Sequence, residues 1–280
     1  MSAWSNWFGG NAAAASPNAA QLVRKPAAPG THVTVRGLCK AFHGATLYQD
    51  LDLDIPRGRI VSVFGPNGCG KSTLINMIAG LLPVDSGEIL FDGKSLRDTV
   101  IGYVFQNYRD ALLPWMSARG NIEYPLRRRG MAAEQVKERV DALIDAFDVR
   151  FDLSRHPYEF SGGQQQLVSI MRALAPRPEV LFLDEPFSAL DYEMTLFIRD
   201  RLQHVQRQEN TTTLIVSHDL EDAVFLADRI LLLTRRPTRI AAELEFDMPR
   251  PRSAESVADP HFVAVKSRAL ELFREQVAVG

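Results

Sequence analysis

Residues 59–73 read R-I-V-S-V-F-G-P-N-G-C-G-K-S-T, and this stretch decides the fold. The short apolar, β-branched run from Arg59 to Phe64 predicts a buried strand, and the segment after it matches the pattern G-x-x-x-x-G-K-S/T. Glycines let backbone N–H groups turn toward phosphate oxygens, and the helix predicted over residues 72–82 adds its N-terminal dipole. A strand entering such a loop and a helix leaving it predict an α/β fold with a nucleotide phosphate site.

This glycine-rich segment, called the phosphate loop below, supplies most of the predicted ligand contacts. Lys71 is expected to bridge the β- and γ-phosphates, and the Ser72 hydroxyl is expected to ligate Mg²⁺. The nucleotide-binding residues of the loop are Gly65, Pro66, Asn67, Gly68, Cys69, Gly70, Lys71, Ser72 and Thr73. The sequence therefore predicts ATP and Mg²⁺ as ligands.

Two carboxylates follow a second buried strand. The apolar run from Val180 to Leu183 leads into Asp184 and Glu185. Ligands of open α/β sheets gather at the carboxyl ends of the strands, and phosphoryl transfer needs a metal-binding acid and a group that orients the attacking water. We expect Asp184 to bind Mg²⁺ through a water molecule and Glu185 to act as the general base.

The bulk composition is that of a globular protein. The 280 residues are 46% hydrophobic and 24% charged, which indicates one large domain or a domain plus a lobe. A net charge of −2 provides no global attraction to nucleic acid or anionic lipid. The two cysteines, Cys39 and Cys69, cannot form a disulfide framework and favour a reducing compartment. The sequence contains no run of 18 apolar residues, so no transmembrane helix is predicted.

The chain divides into three predicted parts. Residues 1–30 are rich in Ala, Asn, Ser and Pro and predict a flexible tail, whose Trp4, Trp7 and Phe8 either are incidental or touch a membrane or a partner. Residues 31–240 are expected to form the main domain, with a helical lobe at about 107–178. Residues 241–280 form an extension with a terminal amphipathic helix, which either packs on the core or is regulatory. Its predicted apolar face carries Phe262, Val265, Ala269 and Phe273.

One further motif, which lies between the phosphate loop and the strand that leads into Asp184, resembles a motif of a known family. Tyr158 to Gln164, which reads Y-E-F-S-G-G-Q, resembles the signature motif of ATP-binding-cassette (ABC) ATPases. The other motifs of the family are also present, in the family's order along the chain. Gln106 resembles the Q-loop glutamine, residues 188–191 resemble the D-loop, and His218 resembles the switch histidine. The nucleotide contacts that this resemblance adds are Ser161, Gly162, Gly163, Gln164 and Asp191, together with Phe42 as the aromatic that stacks on adenine; Tyr48 is a competing stacker.

The resemblance implies both the fold and the way the site works. The fold is a P-loop NTPase core with a mixed sheet flanked by helices, an N-terminal antiparallel β subdomain and an inserted helical subdomain. Two copies of the chain would bind ATP head to tail, with the signature of one facing the phosphate loop of the other. Gln106 would contact Mg²⁺ or the attacking water, and His218 the γ-phosphate. Leu167 stands where the family usually has arginine, a change expected to affect packing more than ATPase activity.

One phosphate loop, one signature and no predicted membrane span resemble a separate ATPase subunit of a bacterial importer. Residues 111–115, which read A-L-L-P-W, and residues 235–240 are similar to the subfamily that serves uptake of nitrate, sulfonate, taurine and bicarbonate. The expected partners are an integral membrane permease, contacted near Leu113–Trp115, and indirectly a solute-binding protein, but no nucleic acid. The expected location is peripheral, on the cytoplasmic face of the inner membrane.

Two alternatives stay open on the sequence. Leu113, Pro114 and Trp115 could instead be core and turn residues. The chain could also be a soluble cassette ATPase acting on DNA or ribosomes, although it lacks the long coiled coils or tandem cassettes usual in such proteins.

Overall fold

The computed structural model describes Ala28, residues 30–188 and residues 190–278. The predicted tail with Trp4, Trp7 and Phe8 lies outside these residues, as does Ala189 of the D-loop segment. The strands are β1 (Thr31–Phe42), β2 (Ala45–Pro56), β3 (Ile60–Phe64), β4 (Ser86–Phe91), β5 (Ile101–Val104), β6 (Val180–Asp184), β7 (Thr212–Val216), β8 (Arg229–Leu233) and β9 (Ile240–Glu245). The α-helices are α1 (Lys71–Ile78), α2 (Tyr108–Ala111), α3 (Ala118–Arg128), α4 (Ala133–Ala146), α5 (Gly162–Leu174), α6 (Tyr192–Glu209), α7 (Leu220–Leu226) and α8 (Pro260–Ala278).

The strands form two sheets. An antiparallel sheet has the order β2-β1-β4, and a larger sheet has the order β5-β6-β7-β3-β8-β9. In the larger sheet β5, β6, β7, β3 and β8 run parallel, while β9 runs antiparallel to β8. Every residue of β3, β6 and β7 is buried, as expected for parallel strands covered on both faces. Their shared direction brings the phosphate loop and the residues after β6 and β7 to one edge of the sheet.

Helices α2 to α5 lie between Tyr108 and Leu174, inside the range predicted for the helical lobe. On α4, Val136, Val140 and Leu143 are buried, as the apolar spacing predicts. Leu167 on α5 is only 2% exposed and belongs to the same apolar core. This position agrees with the expectation that the missing arginine concerns packing.

Two element boundaries differ from those predicted. The helix predicted over residues 72–82 ends at Ile78, because the chain turns at Gly80, whose φ of 71° is left-handed and favours glycine. The large sheet continues past residue 240, since Ile240–Glu245 pairs with β8. Its side chains alternate between partly buried and exposed, so this edge strand lacks the apolar run that marks β3 or β6.

The terminal helix α8 packs on the body of the protein. Phe262 is fully buried, and the Phe273 ring lies 5.1 Å from the ring of Phe64, the last residue of β3. Lys266 donates to the Glu221 carboxylate on α7 at 2.7 Å. The interpretation of this helix as one that packs on the core is therefore confirmed.

Candidate functional site

The phosphate loop joins β3 to α1 and has the backbone that its glycines predict. Gly70, at the N-cap of α1, has a φ of 105°, and a Cβ there would lie 2.9 Å from the Leu47 side chain. Lys71 is 6% exposed, and its Nζ donates to the carbonyl oxygens of Gly65 at 2.9 Å and Pro66 at 3.2 Å. The loop thus curls around its own lysine, which holds the ammonium group at the start of α1.

Asp184 ends β6 beside the first turn of α1. The Ser72 hydroxyl donates to Asp184 Oδ1 at 2.9 Å. Asp184 is 5% exposed, and burial raises the pKa of its carboxyl group. A hydroxyl and a buried carboxylate at hydrogen-bond distance form an oxygen donor set of the kind that Mg²⁺ prefers, and a cation there would favour the ionised form of Asp184.

Glu185 is the meeting point of the three predicted catalytic residues. Its Oε2 accepts a hydrogen bond from Gln106 Nε2 at 2.9 Å and lies 3.2 Å from Nδ1 of His218. Its backbone has a φ of 48°, an uncommon conformation for a residue other than glycine that clusters at functional sites. The residues come from the loops after β5, β6 and β7, so the parallel strand order brings them together.

These groups open into one cleft of about 500 Å³. It is lined by Asn67, Gly68, Gly70, Lys71, Ser72, Thr73, Gln106, Glu185, His218 and Arg236. Sequence reasoning missed Arg236. Its position follows from β8 being a neighbour of β3, and a sequence that does not reveal the strand order gives no signal for it.

The signature segment lies at the start of α5 and does not line this cleft. Ser161 Oγ accepts from the N–H of Gln164 at 3.3 Å, and Gln164 Oε1 accepts from the N–H of Ser161 at 3.0 Å, which is a capping box. A Cβ on Gly163 would lie 2.9 Å from the Met194 side chain. Gln164 and Asp191 line a different cleft of about 480 Å³, where Asp191 caps α6. Within one chain, the predicted nucleotide contacts therefore fall into two groups.

The family described as ABC transporter matches residues 48–188, from β2 to the segment after Glu185. The chain belongs to the ABC transporter family. It is an ATP-binding cassette, the ATPase component of a transporter, and the predicted family, fold class and ATP binding are confirmed.

Curated relatives of the cassette carry import or transport names. The aliphatic sulfonates import ATP-binding protein SsuB of Bacillus licheniformis is 37% identical over 243 residues, which cover 86% of this chain and 92% of the relative. The nitrate import ATP-binding protein NrtD of Synechococcus elongatus is 36% identical and covers 82% and 85%. The nitrate transport protein NasD of Klebsiella oxytoca is 36% identical and covers 81% and 90%.

Two solved structures of a dimeric cassette, MJ0796, are similar to this cassette in fold. The dimeric bacterial ABC transporter cassette has a TM-score of 0.69 at 28% identity and covers 78% of this chain and all of that chain. A post-hydrolysis dimer bound to ADP and Pi has a TM-score of 0.68 at the same identity and coverage.

The structure separates the two aromatic candidates for adenine stacking. Tyr48 is 1% exposed, and its hydroxyl donates to the Gly70 carbonyl oxygen at 3.0 Å. Tyr48 is thus buried against the backbone of the phosphate loop, and its ring is not accessible to adenine. The competing assignment of Tyr48 as the stacker is therefore wrong. Phe42 ends β1 with 37% of its surface exposed, and Lys40 Nζ lies 5.3 Å from its ring centroid. Phe42 does not line the cleft in the single chain, and its stacking role stays a prediction.

The segment after the Q-loop presents one aromatic side chain to solvent. Trp115 is 74% exposed, whereas Leu112 is buried. The buried Asn121 fixes this turn, because its Oδ1 accepts from the N–H of Leu113 at 2.7 Å and its Nδ2 donates to the carbonyl of Met116 at 3.3 Å. Trp115 is therefore not a core residue, whereas the other part of that alternative, that Pro114 and Trp115 are turn residues, is confirmed. Among the described helices, none has the length and apolarity that crossing a membrane requires.

Proposed function

We propose that this cassette is the ATP-hydrolysing subunit of an importer for a small solute of the nitrate, sulfonate, taurine or bicarbonate type. The observation that carries the hydrolytic part is the cleft, where the phosphate loop faces Glu185 with Gln106 and His218 on its carboxylate. The solute class is supported by the import names of relatives at 36–37% identity and by the segment 111–115.

Each group around the cleft has a chemical task in this proposal. Lys71 and the loop N–H groups bind the phosphates, and Glu185 accepts a proton from the attacking water. His218 donates to the γ-phosphate, and its contact with Glu185 ties it to the general base. Mg²⁺, which neutralises charge on phosphate oxygens, would be held by Ser72, Gln106 and Asp184. The hydrogen bond between Ser72 and Asp184 supports this assignment for two of the three donors.

The active unit in this proposal is a dimer of two identical chains. In this proposal the capped N-terminus of α5 binds an anion. Within its own chain it does not face the phosphate loop, because that loop lines the cleft that contains Glu185. Head-to-tail pairing would place Ser161 to Gln164 of one copy over ATP bound to the other, and Asp191 near the seam. The two MJ0796 structures, which are dimeric, support pairing of two such chains.

This proposal predicts a protein-concentration effect on turnover. ATPase activity per chain should fall as the protein is diluted through its dimerisation range, because a monomer carries only half of each site. Phosphate release measures turnover per chain, and light scattering on the same samples measures the ratio of monomer to dimer. A specific activity that stays constant where scattering shows only monomers would contradict the shared site.

The cassette is proposed to dock on the cytoplasmic face of the membrane against a separate permease, through the turn that carries Trp115. An exposed aromatic on a rigidly held turn is a typical interface anchor, since it contributes a large contact area at little cost in conformational entropy. The nearby loop from Leu113 to Ser117 is fixed by Asn121, so the anchor is already in place before binding.

The docking proposal predicts that Trp115→Ala weakens binding to the permease by about 10- to 100-fold, because interface anchors contribute about 2 kcal/mol or more. Basal ATPase activity of the purified chain should stay unchanged. Co-purification of permease from detergent-solubilised membranes measures the effect. Leu81→Ala is the matched control, since Leu81 is 52% exposed and lies outside the helical lobe. Equal loss in both variants would contradict a specific anchor.

The import function is tested by purifying the tagged cassette from its native membranes. The expected companion is an integral membrane protein, and reconstitution of both in vesicles should couple ATP hydrolysis to uptake of nitrate or a sulfonate. Recovery of ribosomes or DNA in place of a membrane protein would contradict the importer assignment. The relatives do not favour that alternative.

A further inference from the structure

The turn between β8 and β9 is fastened to the phosphate loop. The N–H of Thr238 donates to the Leu47 carbonyl at 2.7 Å, and the Thr238 hydroxyl donates to the Cys69 carbonyl at 2.5 Å. Cys69 lies within the phosphate loop, so residues 234–239 are attached to the loop itself. A side chain on this turn is therefore held in a fixed place relative to bound phosphate.

Arg236 extends from this turn to the rim of the nucleotide cleft. Its Nε donates to the Gly68 carbonyl at 2.8 Å, and the side chain lines the cleft with Lys71 and Ser72. Among the residues that the structure describes, no ion pair joins this guanidinium to a carboxylate, and Nε is the only one of its nitrogens that donates to a protein acceptor. One edge of the guanidinium is thus anchored while the other remains available to a ligand.

The charge of the cleft makes an anion the fitting ligand. Arg236 and Lys71 are its two fixed cations, and Lys71 Nζ is already held by two loop carbonyls. Guanidinium groups bind phosphate oxygens through paired, charge-assisted hydrogen bonds. An arginine fixed through Nε loses little side-chain freedom when its terminal nitrogens bind phosphate.

We propose that Arg236 is a phosphate-binding residue of the nucleotide site, a second cation that the β8–β9 turn delivers to the phosphates of ATP held by the phosphate loop. The assignment rests on ATP binding by the cassette and not on the importer proposal. It can therefore be tested on the purified chain without permease or solute.

The competing interpretation is that Arg236 only braces the phosphate loop through Gly68. Arg236→Ala removes both the brace and the charge, whereas Arg236→Gln keeps a donor for the Gly68 carbonyl and removes only the charge. Arg236→Lys keeps the charge but cannot serve Gly68 and phosphate together. The matched control is Arg235→Ala, because Arg235 is the exposed neighbour and does not line the cleft.

The experiment measures binding of a fluorescent ATP analogue with Mg²⁺, and its displacement by inorganic tripolyphosphate, which has no base or ribose. We expect Arg236→Ala and Arg236→Gln to weaken both ligands by about tenfold or more, the range for losing a hydrogen bond to a charged group. Arg236→Lys should recover part of the loss, and Arg235→Ala should stay within about twofold of wild type. The unfolding midpoint without nucleotide should be the same in all four variants.

Three results would overturn the proposal. Wild-type affinity in Arg236→Gln would make Arg236 a brace of the loop. Weaker binding of the ATP analogue with unchanged binding of tripolyphosphate would place the contact on the nucleoside. Equal losses in Arg235→Ala and Arg236→Ala would reduce the effect to general surface charge.

Discussion

Glu185→Gln is expected to lower ATP turnover by at least about 100-fold while ATP binding persists, the range for loss of a general base. The amide matches the carboxylate in shape and can still accept from Gln106 Nε2, but it cannot take a proton from water. Because the phosphates are bound by the phosphate loop and not by Glu185, affinity should remain near wild type. The ATP-bound dimer should then accumulate, since hydrolysis is the step that releases the two chains.

Phosphate release and size-exclusion chromatography with and without ATP measure both effects. Glu179→Gln is the matched control, because Glu179 immediately precedes β6, does not line the cleft, and accepts at Oε1 from the backbone N–H of Val100, a bond that glutamine keeps. That variant should turn over ATP normally and remain in the wild-type equilibrium between monomer and dimer. Turnover by Glu185→Gln at the wild-type rate would show that the base assignment is wrong.

Arg252→Met is expected to lower the free energy of unfolding by about 3 kcal/mol or more, because it leaves several buried carbonyls without donors. Arg252 is 1% exposed and stacks on the Phe246 ring, with its guanidinium carbon 4.1 Å from the centroid. It donates to the carbonyl oxygens of Val224 (3.0 Å), Phe225 (2.9 Å), Ala227 (2.8 Å), Phe246 (3.3 Å) and Met248 (3.0 Å). Methionine fills much of the volume, so the loss reports the hydrogen bonds more than the cavity.

Urea unfolding without nucleotide, followed by circular dichroism, measures this loss. Arg268→Met serves as the control, since Arg268 on α8 is exposed and, within the described part of the chain, pairs with the exposed Glu271 alone. Exposed pairs of this kind contribute about 0–1 kcal/mol. An equal stability of the two variants would mean that Arg252 does not hold the C-terminal segment to the end of α7.

The phosphate loop, the acids after β6 and the signature could be predicted because each is a local pattern with its own chemistry. Gly70 and Ser72 are positioned by the turn they belong to, and Glu185 follows its strand directly. The structure adds that these groups lie close together and that Gln106 and His218 contact the same carboxylate oxygen of Glu185. Family resemblance supplied those two residues, since a single glutamine or histidine carries no pattern of its own.

Arg236 and Arg252 could not be predicted for a different reason. The partner of Arg236 lies 168 residues away along the chain, and three of the carbonyls that Arg252 satisfies lie 25–28 residues earlier, at the end of α7. Arginine is also rarely buried, so the sequence favours the surface for Arg252, which is 1% exposed. Such contacts depend on strand order and chain path, which hydrophobic periodicity does not specify.

The position of β3 between β7 and β8 has a consequence for biosynthesis. Ile60 pairs with Thr213 and Val61 with Arg229, so the strand that carries the phosphate loop is translated some 150 residues before its neighbours. Long-range parallel pairing of this kind forms slowly, because a long loop must close before any contact rewards it. A nascent chain that ends before β7 therefore contains the whole nucleotide motif without the sheet that shapes it. We therefore expect nucleotide binding to arise only after β7 and β8 have been synthesised.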